Sequence, residues 1–161
     1  DASVQRVVPH TLAGTITERL PAAVLKTSSV PLLLDSEGHV LTALTEAGEP
    51  ELPLLTGIDY QGLVLGKPQP RQAAQAGIRL AGLLGNQFQG RAEVDMGNPD
   101  NAVVYIQGLR FQFGSSSFEE QWERYQKVEH ALSADANGGQ GELRNEIDLR
   151  YPGKVIVRER G

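Results

Sequence analysis

Few side chains in this chain have types and spacings suited to chemistry. The three histidines, His10, His39 and His130, fall in a turn, a hairpin loop and a helical stretch, and no metal-ligating or catalytic role is expected of them. Asp35-x-Glu37-Gly38 has the opening of a calcium loop, but the run of oxygen ligands stops at Gly38, so turn chemistry is the better reading. Glu119 and Glu120 are paired carboxylates in sequence only. Adjacent helical residues diverge, and the pair suits a helix start, where acidic groups offset the dipole. There is no Gly-x-Ser-x-Gly elbow, phosphate loop or dinucleotide fingerprint. With no cysteine, thiol catalysis, disulfides and sulfur-ligated zinc are excluded. No metal or cofactor is expected, and nothing points to an enzyme.

Composition narrows the class further. The 161 residues are 40% hydrophobic, enough for one ordinary domain with a real core. The longest apolar runs, such as Val30 to Leu34, are far too short for a membrane span. Net charge is −5, and the 15 Lys and Arg residues form no basic stripe, which sets nucleic acid aside. Position 1 is Asp and a strand-like pattern starts almost at once. The chain therefore reads as a piece of a longer protein, with any membrane anchor outside it.

The elements follow from periodicity and turn residues. Val4 to Val8 and Thr11 to Glu18 read as two extended pieces, and Arg19-Leu20-Pro21 as a boundary. Val30 to Leu34 and Val40 to Leu44 flank the Asp35-to-His39 turn and predict a hairpin. Residues 45 to 70, dense in Pro and Gly, read as mostly irregular surface connection, with Leu52 to Gly57 packed onto the core. A helix is predicted from Pro70 to Gly85. Ala92 to Met96, Ala102 to Gln107 and Leu109 to Phe113 predict a three-stranded meander. Ser116 and Ser117, with Glu119 and Glu120 three residues on, open a helix whose Phe118, Trp122, Tyr125, Val128 and Leu132 share a core-facing side. A polar loop, Asp135 to Gly141, leads into the last hairpin. There Ile147, Leu149 and Tyr151 alternate with Asp148 and Arg150, Pro152-Gly153 predicts a type II turn, and Lys154 to Arg158 is the final strand. Arg150 pairs either with Asp148 or with a partner's carboxylate. The fold class is α+β, a largely antiparallel sheet with two covering helices.

If Val155 and Val157 face the core, Ile156 faces the other side, and the final strand is either interior or an edge open to another chain. Ile156→Pro is then the expected ladder-breaking variant, provided that its N–H points outward.

Three stretches, taken together, resemble the extracytoplasmic part of the FtsQ/DivIB bacterial cell-division proteins. They are Val7-Val8-Pro9-His10-Thr11-Leu12 with Thr17-Glu18-Arg19-Leu20-Pro21, then Leu34-Asp35-Ser36-Glu37-Gly38 with Leu52-Pro53-Leu54-Leu55-Thr56-Gly57, and Ile147-Asp148-Leu149-Arg150-Tyr151. The resemblance implies that residues 1–20 end a POTRA module and 21–161 form the family's β domain. It implies a non-enzymatic divisome scaffold outside the cytoplasm at the septum, single-pass in full length, binding the bitopic proteins FtsB/DivIC and FtsL. The strand-addition contact would be Arg150, Tyr151, Gly153, Lys154, Val155, Ile156, Val157 and Arg158. The other reading is a POTRA-bearing accessory of transport or secretion, which a following outer-membrane barrel would support.

Overall fold

The computed structural model describes residues 19–45, 51–135 and 145–159. The expected POTRA end at 1–20 falls almost wholly outside these residues, as do His10 and most of the loop after Asp135. The side chain of Leu132 is outside them too.

The strands are β1 (Pro21–Leu25), β2 (Leu32–Asp35), β3 (Val40–Ala43), β4 (Leu54–Thr56), β5 (Glu93–Asp95), β6 (Ala102–Ile106), β7 (Leu109–Phe113), β8 (Glu146–Asp148) and β9 (Ile156–Arg158). The helices are α1 (Tyr60–Val64), α2 (Pro68–Gly85) and α3 (Phe118–Asp135). One nine-stranded sheet has the order β3-β2-β1-β4-β5-β6-β7-β8-β9. β1–β4, β4–β5 and β7–β8 are parallel and the other neighbours antiparallel. Parallel neighbours need long crossovers, and α1–α2 and α3 supply two of them. The α+β class stands, with both expected hairpins and the meander.

Two strands correct the expectation for their segments. β1, not expected from the pattern, opens at Pro21, because the first residue of a strand can lack its N–H, and Ala23, Val24 and Leu25 are all fully buried. A strand buried on both faces shows no alternation. β4 lies between β1 and β5 although residues 45 to 70 read as irregular. Pro53 does not block it, because only its carbonyl is used, accepting from the Val24 N–H at 2.9 Å. The same segment holds α1, capped by the Asp59 carboxylate on the Gly62 N–H at 3.1 Å. α2 starts at Pro68, ahead of Pro70.

α3 begins as the serine and glutamate spacing predicts, with Ser117 Oγ accepting the Glu120 N–H at 3.2 Å. Its Trp122 and Tyr125 are buried in the core, as that side predicts. Phe111 of β7 stands among them, its ring centroid 5.1 Å from Tyr125, 5.4 Å from Trp122 and 5.8 Å from Phe88. Burial, helped by the charge of Glu129, pushes the Tyr125 hydroxyl pKa up to about 12.

α2 and α3 lie over the face carrying Leu55, Val94, Val104, Phe111 and Ile147. Cross-strand register puts a different row on the opposite face: Glu93, Tyr105, Arg110, Glu146 and Arg158.

Candidate functional site: the terminal strand edge

β9 ends the sheet and pairs only with β8 among the described residues. Its outer main-chain groups follow from the ladder next door. Arg110 N–H donates to Asn145 O and Leu149 N–H to Gln112 O, both at 2.8 Å. In a parallel ladder this turns the N–H and C=O of Ile147 toward β7, so those of Glu146 and Asp148 face β9. Their register partners, Arg158 and Ile156, face back to β8. Val157 between them presents its N–H and C=O to the open side. The condition set for Ile156→Pro, an outward N–H, is therefore not met, and Val157→Pro is the variant that removes an outward donor.

Side chains divide as expected from alternation. Val155 and Val157 pack against the core, while Ile156 is half-buried on the opposite face. The strand itself is shorter than expected. Lys154 and Val155 precede it, and the Lys154 N–H closes a turn on Tyr151 O at 3.2 Å. Gly153 sits at φ +70, which the type II turn requires.

β8 stops at Asp148 because that residue's own carboxylate takes over the next backbone donor. Oδ1 accepts the Arg150 N–H at 3.0 Å, and the guanidinium closes a bidentate pair, Nε to Oδ1 at 2.9 Å and Nη2 to Oδ2 at 2.7 Å. Burial works against the charge on Asp148, but Arg150, with Arg158 further off, holds the carboxyl below the usual range. The Asp148 bonds in turn raise the Arg150 pKa. Of the two readings for Arg150, the internal pair is the one present. Tyr151 does not continue the buried face of Ile147 and Leu149 but is 46% exposed in the turn, with the Arg150 guanidinium 5.4 Å from its ring centroid.

α3 and the chain before it support this loop. Gln121, buried, accepts the Gly114 N–H at 2.8 Å and donates to Gly114 O at 3.1 Å. Gly114 runs so close to the Arg150 backbone that a Cβ there would lie 3.2 Å from Arg150 O. Arg124 reaches three carbonyls, those of Leu149, Tyr151 and Lys154, at 3.3 to 3.4 Å. No sequence signal marked Arg124 or Gln121, because helix periodicity says which way a residue points but not which loop it meets.

The Asp35-to-His39 turn holds a second polar cluster. Asp35 lies four residues before His39, and its Oδ2 is 3.2 Å from His39 Nδ1. The other imidazole nitrogen is bonded to Arg71 Nη2, so neither is free to act as a base. Asp35 also accepts the N–H groups of Glu37 at 2.9 Å and His39 at 2.8 Å, which makes the apparent calcium loop a turn. Among the described residues no group of histidines and carboxylates could hold a metal ion.

Comparison with known proteins names the class. The family model for the C-terminal region of cell division protein FtsQ/DivIB matches residues 23–150, from inside β1 to Arg150. The chain belongs to the FtsQ/DivIB cell-division family. Cell division protein FtsQ of Geotalea daltonii is 25% identical over 97% of this chain and 57% of that protein. Its counterpart in Myxococcus fulvus is 26% identical over 96% of this chain and 55% of that protein. The chain thus spans a little over half the length of these relatives. The major extracytoplasmic domain of the trans isomer of DivIB from Geobacillus stearothermophilus aligns at a TM-score of 0.43 and 17% identity, over 74% of this chain and 98% of that one.

Proposed function

We propose that this domain is a non-enzymatic scaffold of the bacterial division machinery that binds FtsB/DivIC-type and FtsL-type bitopic proteins, the former by adding a strand to the open side of β9. The observation that carries the reading is the outermost position of β9, with the Val157 main chain facing away from the sheet. Main-chain pairing supplies affinity in strand addition, and flanking side chains supply selectivity. In this arrangement Val155, Ile156, Val157 and Arg158 line the added strand. Arg150, Tyr151, Gly153 and Lys154 form the turn at its end. Family membership supports a divisome role. The domain acts outside the cytoplasm at the septum, tethered by a membrane segment beyond these 161 residues; no helix among the described residues is long and apolar enough to cross a membrane. The test is a titration of the domain with the extracytoplasmic segments of FtsB/DivIC-type and FtsL-type proteins from the same organism. Binding by the parent that disappears in a folded Val157→Pro variant supports the reading. Equal binding by both overturns it.

A further inference from the structure

The open side of β9 carries a charge pattern as well as hydrogen-bonding groups. On the sheet face away from the helices, one row crosses five strands in register: Glu93, Tyr105, Arg110, Glu146 and Arg158. Its last three members alternate in sign. Arg110 and Glu146 meet at 3.7 Å, both only about a quarter exposed or less. Arg158 comes next, is exposed, and makes no ion pair among the described residues. Glu146 beside it is already engaged by Arg110. The neighbouring row on the same face ends differently, passing from Gln112 through Asp148 to the half-buried Ile156. Asp148 there is taken up by Arg150. The charge of Arg158 is felt by Asp148 only beyond ion-pair distance, so an incoming strand meets one exposed cation with no ion pair within 4 Å among the described residues and, two residues away on the same face, one apolar side chain.

We propose that the strand added to β9 carries an acidic residue facing Arg158 and an apolar residue facing Ile156, so that the Arg110–Glu146–Arg158 alternation continues into the partner. This rests on the strand-addition reading and specifies the partner's chemistry within it. Directly opposite side chains on one sheet face are the ones that interact, in parallel and antiparallel pairings alike, and opposite charges there are favourable while like charges are not. The outward main chain of Val157 sets the register, and Arg158 and Ile156 read it.

The experiment titrates the intact domain with the extracytoplasmic segment of the FtsB/DivIC-type protein at low and high salt. Arg158→Ala is expected to weaken binding by roughly 2- to 5-fold and to flatten its salt dependence, and Arg158→Glu by roughly 5- to 30-fold. Arg158→Lys keeps most of the affinity. Replacing the facing partner carboxylate by lysine weakens binding to the parent domain and restores binding to Arg158→Glu. If Val157→Pro abolishes binding while Arg158→Glu binds like the parent, the charge assignment is wrong and strand addition stands. If the parent binds and Val157→Pro does too, strand addition falls and this inference with it.

Discussion

The two ends of the sheet are built with the same device and finished differently. At one end β2 closes on Asp35 and at the other β8 closes on Asp148, each a buried carboxylate that accepts the N–H of the residue two positions on. Each has a basic side chain close by, His39 in the first case and Arg150 in the second. Beyond the turn the ends part. The β2–β3 turn is fastened to α2 through Arg71 and through Gln75, whose amide donates to Glu37 O at 2.9 Å. The β8–β9 loop is longer, and α3 holds it by Arg124 through contacts at the outer limit of hydrogen bonding. A buried aspartate can thus end a strand at either edge, but among the described residues the β9 edge is the one that combines an outward backbone, an apolar residue and an exposed cation with no ion pair within 4 Å.

Matched proline substitutions sharpen that contrast most. Leu44 N–H donates to Pro31 O at 2.8 Å, so by alternation Ala43 of β3 points its own N–H outward, as Val157 does in β9. Proline is tolerated where an edge N–H faces solvent. Val157→Pro is expected to remove partner binding to below roughly one hundredth of the parent, well beyond the cost of one hydrogen bond, because the ring also blocks approach of the added strand. Ala43→Pro should leave binding unchanged. Calorimetric titration of both, with melting curves as the folding check, decides whether the partner chooses between the edges.

How far these edges were legible in the sequence depends on what fixed them. Turn residues and alternation showed both hairpins and the turn at Pro152-Gly153, since those signals are local. The Ser117 cap and the aromatic stripe showed α3. β1 was hidden because Ala23, Val24 and Leu25 are buried on both faces and carry no alternation, β4 because three residues are too few to show one, and both by Pro21 and Pro53, which look like breaks although each supplies the backbone group its place requires. The ends of β8 were hidden for another reason. Asp148 reads as an outward-facing polar residue, yet it is buried, and its bond to the Arg150 N–H stops the strand before Tyr151. The edge position of β9 is a property of the whole strand order, which no local pattern contains.

Removing the two carboxylate charges tests how similar the turns are. Asp148→Asn keeps one acceptor for the Arg150 N–H but loses the bidentate pair, and is expected to cost about 1–3 kcal/mol in denaturant unfolding. Asp35→Asn should cost about the same, because it accepts two backbone N–H groups and faces His39 and, at 3.7 Å, Arg19. In both, burial works against ionisation and the hydrogen bonds outweigh it, so the folded carboxyls titrate below their ordinary value. Each therefore contributes stability that is complete above the unfolded Asp range, about 3.9, and is lost as pH falls through the folded value. Unfolding curves between neutral pH and the acid limb should show the parent losing more stability on acidification than either Asn variant. Equal loss in an Asn variant removes that carboxylate from the acid response.

The smallest expected effect concerns how firmly each turn is fastened to its helix. Arg124 touches three carbonyls at 3.3 to 3.4 Å from a half-buried position, and the guanidinium loses little by returning to water. Arg124→Ala is therefore expected to change global stability by less than about 1 kcal/mol. Its effect should be local: the loop from Leu149 to Lys154 loses its tie to α3, and β9 keeps its ladder with β8 and the core packing of Val157. Amide exchange at Ile156 and Arg158, whose N–H groups face β8, should speed up, while exchange in β2 and β3 stays at the parent rate. Gln75→Ala is the counterpart at the other end, freeing Glu37 O and leaving β9 untouched. Because the Asp35 turn keeps its two backbone bonds and its contact with His39, that variant should loosen β3 less than Arg124→Ala loosens β9. Hydrogen-exchange mass spectrometry on the two variants reads the difference directly. Equal loosening at both ends, or faster exchange spread over the whole sheet in Arg124→Ala, would show that Arg124 supports the domain generally rather than the β9 edge.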